Sequence, residues 1–233
     1  GTIAICPVFG GKLKSVDDSK ALAVKDVLQV VSVSDAVAVI AAHMGAAKKG
    51  LAALAIEWDE GPNAKLSTAD IIADMAKASE ADGATVRRDG DVAKALASAE
   101  QKLEAIYQVP FLAHTTMEPV NCTVDVRKDA CEIWVGIQVM TLAQAVAAEL
   151  TGLPPEKVTV HNHMLGGGFG RRLEVDFIAK AVEIAKQVEG PVKLIWSREE
   201  DIQHDIYRPY FYDRLHAGLD SNGSLVAWSH RIC

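Results

Sequence analysis

A chain of 233 residues, 49% hydrophobic and 24% charged, can bury a sizeable core and has the balance of a folded globular protein. Its net charge of -7 argues against non-specific nucleic-acid binding, which depends on a basic footprint that displaces counterions. No apolar run approaches the roughly 18 residues of a membrane span. The four cysteines, Cys6, Cys122, Cys131 and Cys233, show no Cys-x-x-Cys spacing, which excludes a sequence-evident zinc ribbon or iron–sulfur site.

In chain order, residues 3–6 read as a strand, and the β-branched and apolar runs 27–34 and 36–42 as two more, turned at Asp35. Met44, Ala47, Leu51 and Leu54 have helical spacing across 43–54, and 55–58 returns to strand. Ser67 with Asp70 has the form of a capping box for a helix to about Ser79. Residues 80–91 hold Asp82-Gly83 and Arg87-Arg88-Asp89-Gly90-Asp91 with no apolar period, so they are expected to be an exposed connector, with a short helix over 92–99. Strands follow at 102–109, 122–126 and 131–135. Thr141 is expected to cap a short helix that stops at Gly152. After a strand at 158–161, a helix over 173–188 places Phe177, Ala181, Ile184 and Val188 on one face. A strand at 192–196 precedes a hairpin of 210–218 with 225–232, turned at Asp220-Ser221-Asn222-Gly223. Hairpins mixed with isolated helices define an α+β class rather than a regular doubly wound sheet. The expected division is 1–80, a connector over 81–101, and 102–233. Cys122 and Cys131 could close a hairpin disulfide, but buried free thiols are the favoured state. The last residues read as a strand still running where the chain stops, so a fragment is expected.

The run Gly166-Gly167-Gly168-Phe169-Gly170-Arg171-Arg172 is the densest signal. It lies between a strand and a helix, where backbone N–H groups converge and can hold an anion, although a tight packing turn is an equal reading. A dinucleotide fingerprint would need a glycine at Arg171 or Leu173, and a phosphate loop would need Gly-Lys-Ser/Thr at its end; neither is present.

Met164-Leu165-Gly166-Gly167-Gly168-Phe169-Gly170 resembles a segment of the molybdenum-binding subunits of the xanthine dehydrogenase and aldehyde oxidase family. The continuation Arg171-Arg172-Leu173-Glu174-Val175-Asp176-Phe177 is similar to the branch that holds the isoquinoline 1-oxidoreductase large (beta) subunit and related nicotinate and aldehyde dehydrogenases. Further pieces follow the family's order: Pro7-Val8-Phe9-Gly10-Gly11, Glu57-Trp58-Asp59-Glu60-Gly61-Pro62, His114-Thr115-Thr116-Met117-Glu118-Pro119, Trp134-Val135-Gly136-Ile137-Gln138, Gly152-Leu153-Pro154-Pro155, and Arg198-Glu199-Glu200-Asp201 with Tyr207-Arg208-Pro209. The resemblance implies a hammerhead-like α/β domain over 1–80 and the N-terminal part of a molybdenum-cofactor-binding domain over 102–233. It also implies a molybdenum–pterin cofactor, in bacteria commonly the cytosine dinucleotide form, and a small iron–sulfur partner subunit. The reaction it implies is hydroxylation of an N-heteroaromatic compound or an aldehyde with water as oxygen donor.

By the same resemblance Gln138 and the loop residues Gly167, Gly168, Phe169, Gly170 and Arg171 hold the cofactor, while Phe169 and Arg208 line the substrate channel. A neutral amide and backbone N–H groups suit a metal-oxo face. Purine-oxidising members carry a glutamate four residues after the phenylalanine; here Leu173 stands there, which favours less polar substrates. Arg171 and Arg172 either meet the cofactor or pair with Glu174 and Asp176. His114 and Glu118 are expected in a network that positions the loop, and His161 with His163 as a buried or interfacial pair rather than a metal site. No side chain is assigned as a metal ligand. The family's general-base glutamate falls beyond Cys233, so no catalytic base is assigned and the chain alone is expected to be inactive. The rival reading is a non-enzymatic assembly domain that contacts a partner subunit and binds no cofactor by itself.

Overall fold

A computed structural model describes residues 1–233. In chain order the elements begin with β1 (Thr2–Ile5), β2 (Lys12–Asp17), α1 (Ser19–Leu22), β3 (Val27–Val33), β4 (Ala36–Ala41), α2 (Met44–Ala53), β5 (Ala55–Asp59), α3 (Thr68–Ala78) and α4 (Val92–Ser98). They continue with β6 (Gln101–Val109), β7 (Asn121–Val126), β8 (Cys131–Val135), α5 (Met140–Thr151), β9 (Val158–Asn162) and α6 (Asp176–Ala185). The last are β10 (Val192–Ile195), α7 (Arg198–Gln203), β11 (Phe211–Leu219) and β12 (Leu225–Ile232). The class is α+β.

Contacts group these elements into two units whose segments interleave in sequence: 1–64 with 113–206, and 65–112 with 207–233. This spatial partition differs from a division along the chain, because each unit draws on two separate stretches.

The first unit is built on two main sheets. In the sheet ordered β1-β4-β3, the central strand β4 is buried on both faces, which is why its sequence Ala-Val-Ala-Val-Ile is continuously apolar. The second sheet runs β10-β7-β8-β9, with β8 and β9 parallel and joined through α5. Alternate residues of β7 and β8 are buried, and α6 covers them with Phe177, Ile178, Ala181, Val182, Ile184 and Ala185. Together they form one continuous apolar core. The buried thiols of Cys122 and Cys131 lie within it and are free. Burial raises both, and pushes Cys131 up to about 11.

The second unit is a single antiparallel sheet, β12-β11-β6, with α3 and α4 packed against it. On one face Gly218 meets Ala99 and Leu96. Residues 81–90, expected as a connector, are exposed throughout.

Several expectations need correction. Strand β2 and helices α1 and α7 carry too little apolar period to be read, β2 because it is a mostly exposed ribbon paired only with β5. Helix α5 starts after Val139 in an extended conformation, so Thr141 lies inside the helix and does not cap it; Gly152 ends it with φ of 72° as expected. Helix α6 begins at Asp176 rather than 173, because residues 171–173 form a separate 3₁₀ turn. The Ser67–Asp70 capping box is present in full.

Candidate functional site

The glycine run leaves β9 and turns back on itself. Gly167 and Gly170 have φ of 102° and 104°, and Phe169 between them sits at 54°, a region that costs a non-glycine residue roughly 1–2 kcal/mol. The turn is closed by the Arg171 N–H on the Gly168 carbonyl (2.8 Å) and the Leu173 N–H on the Gly170 carbonyl (3.0 Å). Gly166 is demanded by close approach, and Gly168 lies close under a side chain. A Cβ on Gly168 would lie 2.6 Å from Gln138 Oε1, and one on Gly166 would lie 2.6 Å from Glu118 Cβ. Phe169 is 68% exposed.

Gln138 follows β8 and reaches this turn. Its N–H donates to the Arg172 carbonyl (2.9 Å), and its Oε1 accepts the Gly170 N–H (3.3 Å). One end of the exposed amide is thereby fixed to the turn, and the NH₂ end is left as a neutral double donor.

Two ion networks hold the turn from beneath. In the first, Glu118 accepts the Gly166 N–H at 2.9 Å, and its own N–H donates to the Gly166 carbonyl at 3.2 Å. The fully buried Arg172 donates to the Glu118 carbonyl (3.0 Å) and stacks over the Phe177 ring at 5.5 Å. Its Nε and Nη1 have no hydrogen-bond partner, and burial holds this guanidinium below its usual value. Burial pushes the Glu118 carboxyl up, but the Gly166 N–H, the Asn121 amide and the charge of Arg172 outweigh it and leave it below the usual range.

In the second network, Arg171 makes a bidentate pair with Asp176 (2.7 and 2.8 Å), while its Nε lies 2.9 Å from Asp205. Burial opposes the charge on Arg171, yet Asp176 and Asp205 raise it above its usual value. Asp205, only 2% exposed, also takes the main-chain N–H of His114 and lies 3.1 Å from His114 Nδ1.

Gln138, Gly167, Gly168, Phe169, Gly170 and Arg171 are therefore brought to one place, with His114 and Glu118 in the networks that support it. The Arg171 guanidinium is occupied by Asp176 and Asp205, and Glu174 takes no part. Arg208 lies in the second unit, where its backbone pairs with Leu112 and its residue is exposed. His161 and His163 are not a buried pair: His161 stacks on Trp134 at 5.0 Å and bonds Glu132 (3.0 Å), and His163 is exposed. No group of three metal-ligating side chains occurs. Asp205 was missed by sequence reasoning. Its partners stand 91 residues away at His114 and 34 away at Arg171, so no local pattern marks it. A cavity of about 240 Å³ borders Arg171, but none of Gln138, Gly168, Phe169 or Gly170 lines it.

The turn itself offers neutral donors and no side-chain charge, with both cations buried behind it. That donor set fits an oxo-bearing group better than a free phosphate, which favours paired cations.

The fold superimposes on that of aldehyde oxidoreductase from Desulfovibrio gigas with a TM-score of 0.78 at 18% identity, covering 99% of this chain and 30% of that one. The model for the molybdopterin cofactor-binding domain matches residues 75–233, and the chain belongs to that family. It is 29% identical over 243 residues to isoquinoline 1-oxidoreductase subunit beta of Brevundimonas diminuta, covering 97% of this chain and 30% of that protein. It is 30% identical over 234 residues to a membrane-bound aldehyde dehydrogenase [pyrroloquinoline-quinone] of Gluconacetobacter polyoxogenes, covering 96% of this chain and 30% of that protein. The chain thus spans about 30% of the length of these relatives. No helix is long and apolar enough to cross a membrane.

Proposed function

We propose that this chain is part of a molybdenum hydroxylase subunit that oxidises an N-heteroaromatic compound or an aldehyde with water as oxygen source. In this reading the electrons pass to a small iron–sulfur partner subunit, and the cofactor is the cytosine dinucleotide form of the molybdenum–pterin group. The observation that carries the reading is the Gly170 N–H on Gln138 Oε1 at 3.3 Å, across a turn where a Cβ on Gly168 would displace that amide oxygen. When bound, the cofactor supplies the two-electron redox chemistry and the activation of water.

The chain's own residues bind and orient. Gln138 directs its NH₂ donors to an oxo group, and the backbone of Gly167, Gly168, Phe169 and Gly170 lets that group approach closely. Arg171 acts by fixing the turn through Asp176 and Asp205. Phe169 places its ring on the substrate channel. Leu173, 44% exposed where purine oxidisers carry a glutamate, supports a less polar substrate. Along the chain, we read 1–80 as the hammerhead-like domain, 81–101 as its connector, and 102–233 as the N-terminal part of the cofactor domain.

Metal analysis and pterin fluorescence on the purified whole subunit test the proposal. Molybdenum and pterin should be present together and should fall severalfold in Gly168→Val. A subunit that contains neither, or whose extract shows quinone absorbance instead, would overturn it.

A further inference from the structure

Gln138 is not the only side chain brought to the glycine turn. A Cβ placed on Gly170 would meet one heavy atom within 4 Å apart from its chain neighbours, His114 Nε2 at 3.7 Å. The imidazole therefore stands beside the turn with that nitrogen facing it. The other ring nitrogen, Nδ1, lies 3.1 and 3.2 Å from the two oxygens of Asp205.

The protonation pattern follows from what surrounds Asp205. This buried carboxyl takes the His114 main-chain N–H and lies 2.9 Å from the Arg171 guanidinium. Its oxygens thus face donors, and as a carboxylate it accepts from each of them. Nδ1 is then the nitrogen that donates to Asp205, and in the tautomer protonated at Nδ1 alone the lone pair lies on Nε2, toward the turn.

We infer that Asp205 and His114 form a dyad that presents Nε2 as a hydrogen-bond acceptor to the group bound at the turn, an inference that rests on the cofactor reading above. His114 is the binding residue and Asp205 the positioning residue. Together with the NH₂ of Gln138, the turn then offers a double donor and an acceptor side by side. The matching ligand carries an oxygen acceptor toward Gln138 and an N–H or O–H donor toward His114. A bare oxyanion has the first and lacks the second.

The test separates the two ring nitrogens. His114→Asn keeps an amide donor near the Nδ1 position, so the bond to Asp205 survives, but nothing remains at Nε2. His114→Gln keeps a carbonyl near Nε2. In the whole subunit, His114→Asn should melt close to wild type yet retain roughly three- to tenfold less pterin after gel filtration, the weight of one hydrogen bond. His114→Gln should recover part of that loss. In the ¹⁵N spectrum of histidine-labelled protein, neutral His114 should be protonated at Nδ1, and Asp205→Asn should allow the proton to move to Nε2. Wild-type Nε2 protonated in the neutral ring overturns the dyad, as does pterin retention in His114→Asn equal to wild type. Should His114→Asn fail to fold, His114→Gln and the nitrogen shifts carry the test. A wild-type subunit without pterin sinks the functional reading and the ligand role of His114 with it; a loaded wild type with an indifferent His114 sinks the dyad alone.

Discussion

The two units of this chain bury their apolar residues to different degrees. In the first, one continuous core from Ile3 to Trp196 joins the two sheets with α5 and α6. In the second, Leu103, Tyr107, Trp228 and Ile232 stand on β6 and β12 with half or more of their surface exposed. The register pairs Ala217 with both Leu103 and Trp228, and Asp213 with both Tyr107 and Ile232, so these four share one sheet face. A positive-φ turn with a non-glycine residue persists only where its surroundings over-determine it. The candidate site sits on the unit that can do so.

Core truncation should show the largest contrast. Phe177→Ala removes the ring beneath both Arg171 and Arg172 and should cost about 3–5 kcal/mol in urea melts of the chain. Leu103→Ser, on the exposed face of the second unit, should stay within about 0.5 kcal/mol. Equal losses would mean that the two units do not differ in packing as described.

Glycine substitutions sharpen the same contrast at smaller magnitude. Gly166→Ala drives a Cβ onto Glu118 Cβ and should cost about 1–3 kcal/mol. Gly83→Ala in the second unit, where a Cβ meets nothing within 4 Å, should be neutral or stabilising by less than about 1 kcal/mol. Gly168→Ala should fall between them, since the atom it meets is the far end of the Gln138 side chain. Its main effect should be on cofactor retention, because the Gln138 amide must leave the Gly170 N–H. A Gly168→Ala subunit with full molybdenum would show that contact to be dispensable.

The smallest effect is a pH dependence confined to the first unit. Burial lowers His204, but the Glu200 carboxylate at 3.0 Å and the Cys6 carbonyl outweigh it and raise the imidazole above its ordinary 6.5. A raised folded value means that its contribution is complete below pH 6.5 and is lost as pH rises through the higher folded value. Denaturant melts across that range should lose stability toward the alkaline side, and His204→Gln should flatten the slope. An unchanged slope in the variant would assign it to another group.

Local signals were legible where one segment satisfies itself. The Ser67–Asp70 box, the Gly152 stop and the hairpin at Asp220-Ser221-Asn222-Gly223 each depend on residues within a few positions of one another. The same holds for the alternation of β7 and β8 and for the apolar run of β4. The glycine turn was legible for a related reason, since four glycines in five residues mark close approach without saying what approaches.

What only the tertiary structure decided is the identity of the partners. Glu118 meets Gly166 across 48 residues, Gln138 meets Gly170 across 32, and His114 meets Asp205 across 91. Nothing in the sequence around Asp205 marks it as buried, and Arg171 carried two readings until Asp176 and Asp205 were seen to hold it. By itself the sequence determined the class of fold, most element positions and the one turn that must be made of glycine, because backbone sterics and apolar period act locally. Which carboxylate faces which cation depends on loop closures over many tens of residues, and those are settled only when the core of the first unit packs.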